Sequence, residues 1–200
     1  MNAKRSYIFY IFTLLIVVSS AGEGMLKHFI ESARSQVGKT LTYNPEYVRL
    51  KFPGGDIPIS KGVCTDVLVR AFRGVGIDLQ ERIYRDKKAN PARYRGLYSP
   101  DRLDPNIDHR RVKNIQAYLG ARGYRVKEDR FLPGDIVVWK LPGSNLDHIG
   151  ICSDRLNDRK EPLIIHNVGA GAKEEDVLRE YRIVDHFRVF ESPKRKRRKP

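Results

Sequence analysis

Apolar residues follow a helical period in the first half of the chain and a strand period in the second. Leu26, Phe29, Ile30, Ala33 and Val37 fall on one face of a helix predicted from Met25 to Gln36, with Gly38 as its stop. Cys64, Val67, Leu68, Ala71 and Val75 recur at i, i+3, i+4, i+7 and i+11, so a second helix opens at the cysteine and ends at Gly74 or Gly76. Asp78-Leu79-Gln80-Glu81 resembles a capping box and starts a third helix running toward Pro91. Asp108 is a good N-cap for a fourth, through Leu119, with Val112, Ile115 and Leu119 inward and Gly120 closing it. Beyond Arg125 the pattern changes. Pro133-Gly134-Asp135 is a turn into the strand Ile136 to Trp139, followed by strands over His148 to Ser153, Leu163 to Val168 and Tyr181 to Phe190. The stretches Thr40 to Lys61, Tyr94 to Asn106 and Gly169 to Asp176 read as loops. There is no internal repeat. Helices first and strands later predict an α+β domain, with N-terminal helices packed on one side of a C-terminal antiparallel meander.

The two ends do not belong to that domain. Lys4 and Arg5 precede an apolar run from Tyr7 to Val18, and Ser19-Ser20-Ala21 offers a cleavage point after Ala21. That is the layout of a secretory signal over residues 1–21, because a membrane span needs roughly 20 apolar residues and this run is shorter. The mature protein is therefore expected in a bacterial periplasm, with no stable membrane span left after cleavage. At the other end, residues 192–200 carry six consecutive cations from Lys194 to Lys199 and read as a disordered tail. Removing Lys4, Arg5 and those six tail cations from the formal +14 leaves +6 on the body, a moderate excess that suits an anionic extracytoplasmic surface. Export argues against nucleic acid as the partner. The domain proper is expected over residues 22–191.

Cys64 carries the chemistry. In the first turn of a helix, unpaired amides and the positive end of the macrodipole favour thiolate, the nucleophilic form. Asp66 works against this, although two residues along it points roughly 200° around the helix. A thiol nucleophile requires a base, and an imidazole titrating near neutrality can serve as base and then as acid. His148 and His166 lie on consecutive strands joined by a hairpin-length connection and can be cross-strand neighbours on one face. Side chains alternate across a strand, so only one of His166 and Asn167 faces the site; His166 is the expected orienting residue. The competing reading joins Cys64 to Cys152 in a disulfide. At about 3.3 Å per residue Cys152 lies roughly 13 Å along the strand from His148, and a disulfide needs Cα atoms within about 7 Å. Contact of Cys64 with His148 and a bridge to Cys152 therefore exclude each other. Five histidines without paired ligand spacing and two separated cysteines imply no metal and no cofactor. Arg110 and Arg111, in the first turn of the fourth helix where cations oppose the macrodipole, are candidate forks for substrate carboxylates.

Tyr43 upstream of a Gly-Gly, Cys64 at a helix start, Pro133 to Trp139, His148-Ile149-Gly150-Ile151 and Ile164-Ile165-His166 together resemble the NlpC-type cysteine peptidases of bacterial cell walls, papain-like in fold. Gly62 to Val67, Asn106 to Val112 and Asp147 to Ile151 are more similar to the YijF-like bacterial domain of unknown function 1287. The resemblance implies Cys64 as nucleophile, His148 as base and acid, His166 as orienting residue, and Tyr43 and Asn167 as oxyanion or supporting groups. Its runs also bring in Asp66, His109, Arg110, Arg111 and Asp147 as candidate substrate-binding residues. It implies a periplasmic, monomeric thiol hydrolase that cuts an amide or peptide bond in peptidoglycan or its peptide fragments. A non-catalytic envelope-binding protein on the same scaffold and an acyltransferase or lipid-amide hydrolase are the alternatives.

Overall fold

The computed structural model describes residues 22–97, 102–144 and 146–190. The expected signal segment and the basic tail both lie outside them. The described chain is α+β. Helix α1 covers residues 22–34. A two-residue strand β1 (Thr42–Tyr43) pairs in parallel with β2 (Lys61–Gly62), which runs directly into α2 (Cys64–Arg73). Then come α3 (Leu79–Ala89), short 3-10 turns at Pro91–Tyr94 and Asp108–Arg110, and α4 (Val112–Ala121). Strands β3 (Ile136–Lys140), β4 (Asp147–Leu156), β5 (Pro162–Asn167), β6 (Ala172–Glu175) and β7 (Arg182–Phe187) form an antiparallel sheet in the order β6-β5-β4-β3-β7. Strands β3 to β6 are a meander. The last strand turns back to cover the open side of β3.

Strand alternation gives the sheet two different faces. Ile136, Val138, Ile149, Ile151 and Ile165 face the helices and share a core with Phe29, Ile30, Leu68 and Phe72. Val137, Trp139, Cys152 and Ile164 face the other way, under Val177 and Leu178. Helix α2 is the centre of the first core: Cys64 to Phe72 are all buried, so it is enclosed on every side rather than along one stripe. Its polar residues are matched accordingly. Arg70 donates to Asp56 at 2.9 and 3.0 Å and to the carbonyls of Ile57 and Lys61. Phe72 packs against Phe29 with the rings tilted by 59° and their centroids 4.9 Å apart, and so ties α1 to α2.

Four expectations change. Val37 is exposed, because the first helix gives way to turns at residue 35 and Gly38, at φ 76°, reverses the chain. Asp108 does not cap the fourth helix: its carboxylate accepts from Lys87 at 2.8 Å and from the Asp104 amide at 2.9 Å. The segment forms a 3-10 turn instead, and α4 starts only after Arg111, whose backbone is extended. Residues 172–175 form edge strand β6 despite their charge, since Glu174 finds Arg34 and Arg155 and Glu175 finds His166. The final strand is shorter than the alternation from Tyr181 to Phe190. Replacing Phe72 by alanine empties the junction of α1 and α2 and should lower stability by about 3–5 kcal/mol, read as a lower urea midpoint at unchanged slope.

Candidate active site

The first turn of α2 is held from three directions. Asp66, at the third helical position, accepts from the Val63 amide at 2.7 Å and so satisfies the backbone where valine offers no cap. The same carboxylate receives both arms of the Arg110 guanidinium at 2.9 and 3.0 Å. Arg110 also donates to the carbonyls of Asn44 and Glu46, each at 3.0 Å, locking the loop after Tyr43 against the helix. From the sheet, Asn167 donates to the Gly62 carbonyl at 3.0 Å. Cys64 is thereby fixed at the foot of a cleft of about 290 Å³ whose walls include Tyr43, Pro45, Arg111, Leu146, Asp147, His148 and Val168.

His148 enters that cleft from the other face of the sheet. Its direct partner on β3 is Trp139, and it shares Trp139's face, 5.7 Å between ring centroids. Cys64 belongs to the helix-side core. Both residues line the same cleft because His148 stands at the start of β4, where the cleft opens. His148 Nε2 lies 2.7 Å from His166 Nδ1, and His166 Nε2 lies 2.9 Å from Glu175 Oε1. With Nε2 engaged, Nδ1 is the nitrogen left for the cleft. No hydrogen bond joins His148 to the Cys64 sulfur among the described residues.

Electrostatics make the resting pair neutral. Burial pushes the Cys64 thiol up to about 11, the Asp66 charge adds to the rise, and the amides of Ile149, Thr65 and Cys64 itself only partly offset it. The thiolate fraction at neutral pH is then about one in ten thousand. Helix position alone therefore does not make the thiolate the resting form, contrary to the expectation from the macrodipole. Burial, with His166 beside it, lowers His148 to about 3. Tyr43 stands beside the thiol; burial first, then the sulfur's charge and hydrogen bond, pushes its phenol up to about 12, so it remains a donor.

The five candidate substrate-binding residues separate. Asp66 and Arg110 satisfy one another, so neither offers a free group, although Arg110 forms part of the wall. His109 is buried beneath the turn, is not among the cleft-lining residues and is lowered to about 4, chiefly by burial. Asp147 lines the cleft but faces Lys140 at 2.8 Å and Lys113 at 3.3 Å. Arg111 alone of the five is exposed on the cleft with no ion pair or hydrogen bond to its guanidinium among the described residues. Glu175 was missed by sequence reasoning; it lies in the charged stretch read as a loop, and only the β5–β6 pairing brings it to His166. Cys64 and Cys152 are both free thiols, one in each core, so the disulfide reading finds no juxtaposition here. No group of three or more His, Cys, Asp or Glu residues that could hold a metal ion occurs among the described residues.

Because the thiol is protonated at neutrality, alkylation of Cys64 in the folded protein by iodoacetamide should accelerate about tenfold per pH unit between pH 8 and 10. Peptide mapping by mass separates it from Cys152. A rate already flat at pH 7 would reveal a preformed thiolate and contradict this electrostatic reading.

Comparison with known proteins gives two matches. The model of the family described as a domain of unknown function, DUF1287, matches residues 30–189. The uncharacterized protein YijF of Escherichia coli (strain K12) is 44% identical over 164 residues, covering 80% of this chain and 80% of that protein. Every residue of the site described above lies inside both the fold and the matched span, and the chain belongs to the DUF1287 family.

Proposed function

We propose that this protein is an exported thiol hydrolase of the papain-like NlpC type that cleaves an amide or peptide bond in peptidoglycan stem peptides. The observation that carries the reading is the convergence of Cys64, at a helix start, and His148, backed by His166, on one cleft. In the proposed reaction His148 Nδ1 takes the thiol proton as sulfur bonds to the carbonyl carbon. The developing oxyanion is received by amide N–H groups at the start of α2 and by the Tyr43 hydroxyl. His148 then returns the proton to the nitrogen as the C–N bond breaks, leaving a thioester. Water, deprotonated by the same nitrogen, attacks that thioester; sulfur departs, recovers the proton and frees the carboxylic acid.

Two features support a peptide carrying carboxylates. Arg111 presents at the cleft a guanidinium with no partner among the described residues, and a planar fork matches a carboxylate bidentately. Leu141, Leu146 and Val168 offer short apolar wall beside it, suited to small aliphatic side chains.

Digestion of purified sacculi with wild type and Cys64→Ala, with released fragments identified by mass, tests the reading. Fragments that require Cys64 are the expected result, and their absence across a range of muropeptides would sink the substrate class. Arg111→Ala should raise KM roughly tenfold with little change in kcat, the pattern of a lost binding contact.

A further inference from the structure

We propose that Glu175 is a positioning residue for this site: through His166 it dictates which nitrogen of His148 carries the proton. The inference rests on the hydrolase reading for its consequence, but its geometry does not depend on any substrate.

An ionised carboxylate only accepts hydrogen bonds. Glu175 Oε1, 2.9 Å from His166 Nε2, therefore takes a proton that His166 must carry on Nε2. A neutral imidazole has one N–H, so His166 Nδ1 is left as a lone pair. That lone pair lies 2.7 Å from His148 Nε2, which must then be the protonated nitrogen of His148. His148 Nδ1 is thus left as a lone pair on the cleft side. Reverse any one assignment and two lone pairs, or two N–H groups, face each other across a hydrogen-bond distance. His166 is fully buried and cannot substitute water for a lost partner.

The carboxylate acts a second time when the thiol yields its proton. The S–H bond breaks, a bond to His148 Nδ1 forms, and the new imidazolium still donates through Nε2 to His166. The negative charge of Glu175 lies at the far end of this hydrogen-bonded row and favours the positive charge at its head. Lys173, 3.9 Å from the other Glu175 oxygen, draws on the same carboxylate from the solvent side.

Long-range 1H–15N correlation spectra of the full chain labelled at histidine report the tautomers directly. Wild type should show both His148 and His166 protonated on Nε2. Glu175→Ala should mix the tautomers of both rings and lower kcat on sacculi at least roughly tenfold. Glu175→Gln, whose carbonyl accepts the same proton without the charge, should keep the tautomers and lose less. Wild-type His148 protonated on Nδ1, or tautomers unchanged in a folded Glu175→Ala protein, would overturn the proposal. If the tautomers behave as stated while sacculi remain uncut, the relay stands and the hydrolase reading falls.

Discussion

A buried ion pair organises this molecule. Asp66 and Arg110 meet out of solvent, and the desolvation of two charges is offset by the further hydrogen bonds that both side chains make. Asp66 closes the backbone at Val63, and Arg110 reaches the carbonyls of Asn44 and Glu46. One contact thereby joins the start of α2, the loop carrying Tyr43 and the turn carrying Arg111. Breaking such a pair from one side leaves an uncompensated buried charge, a loss of about 3–5 kcal/mol. The cleft is thus rigid at its cysteine end because its charged residues are directed inward, toward each other, rather than toward a ligand.

The histidine end is built differently, and β5 connects the two. Consecutive residues at its end point to opposite faces of the sheet: Asn167 holds Gly62 on the helix side, while His166 holds His148 on the other. A choice between them as the third member of a catalytic set is therefore the wrong question. Alternation makes each responsible for one partner, and a one-residue slip of β5 would release both at once. Register across β4 and β5 carries the geometry of the whole site. Gly150 protects that register, since a Cβ there would stand 2.7 Å from Ile164 Cγ2 and 3.2 Å from His166 Cβ.

What was legible in the sequence was whatever depends on period and local chemistry. The α2 helix and its glycine stop, the Asp78 cap, the turn before β3, and the adjacency of His148 and His166 all follow from spacing within an element or a hairpin. What could not be read depends on partners distant in the chain. Asp108 is as good a cap as any aspartate until Lys87 claims it, and Arg110 reads as a free fork for a substrate carboxylate until Asp66 is known to face it. Residues 172–175 have the composition of a loop and become a strand because β5 offers an edge and Arg34, Arg155 and His166 offer counter-groups. Solvation was hidden for the same reason: the macrodipole argument for a thiolate concerns the first turn of a helix, whereas the burial that outweighs it comes from the entire fold.

That last contest bears on how such a site works. Enclosure raises the thiol and lowers the imidazole, so both effects oppose a standing charge pair, while the amides of Cys64, Thr65 and Ile149 and the distant carboxylate of Glu175 favour charge once it forms. The protein therefore holds the groups that stabilise a thiolate and an imidazolium already in place around two neutral side chains. Separation of charge then requires only that the proton move, with no rearrangement of dipoles, because they are fixed by backbone and by the β5–β6 pairing. In the proposed reaction this favours proton transfer concerted with attack on a carbonyl over a free thiolate waiting for one, and it leaves the buried, neutral thiol resistant to oxidants that react with the anion.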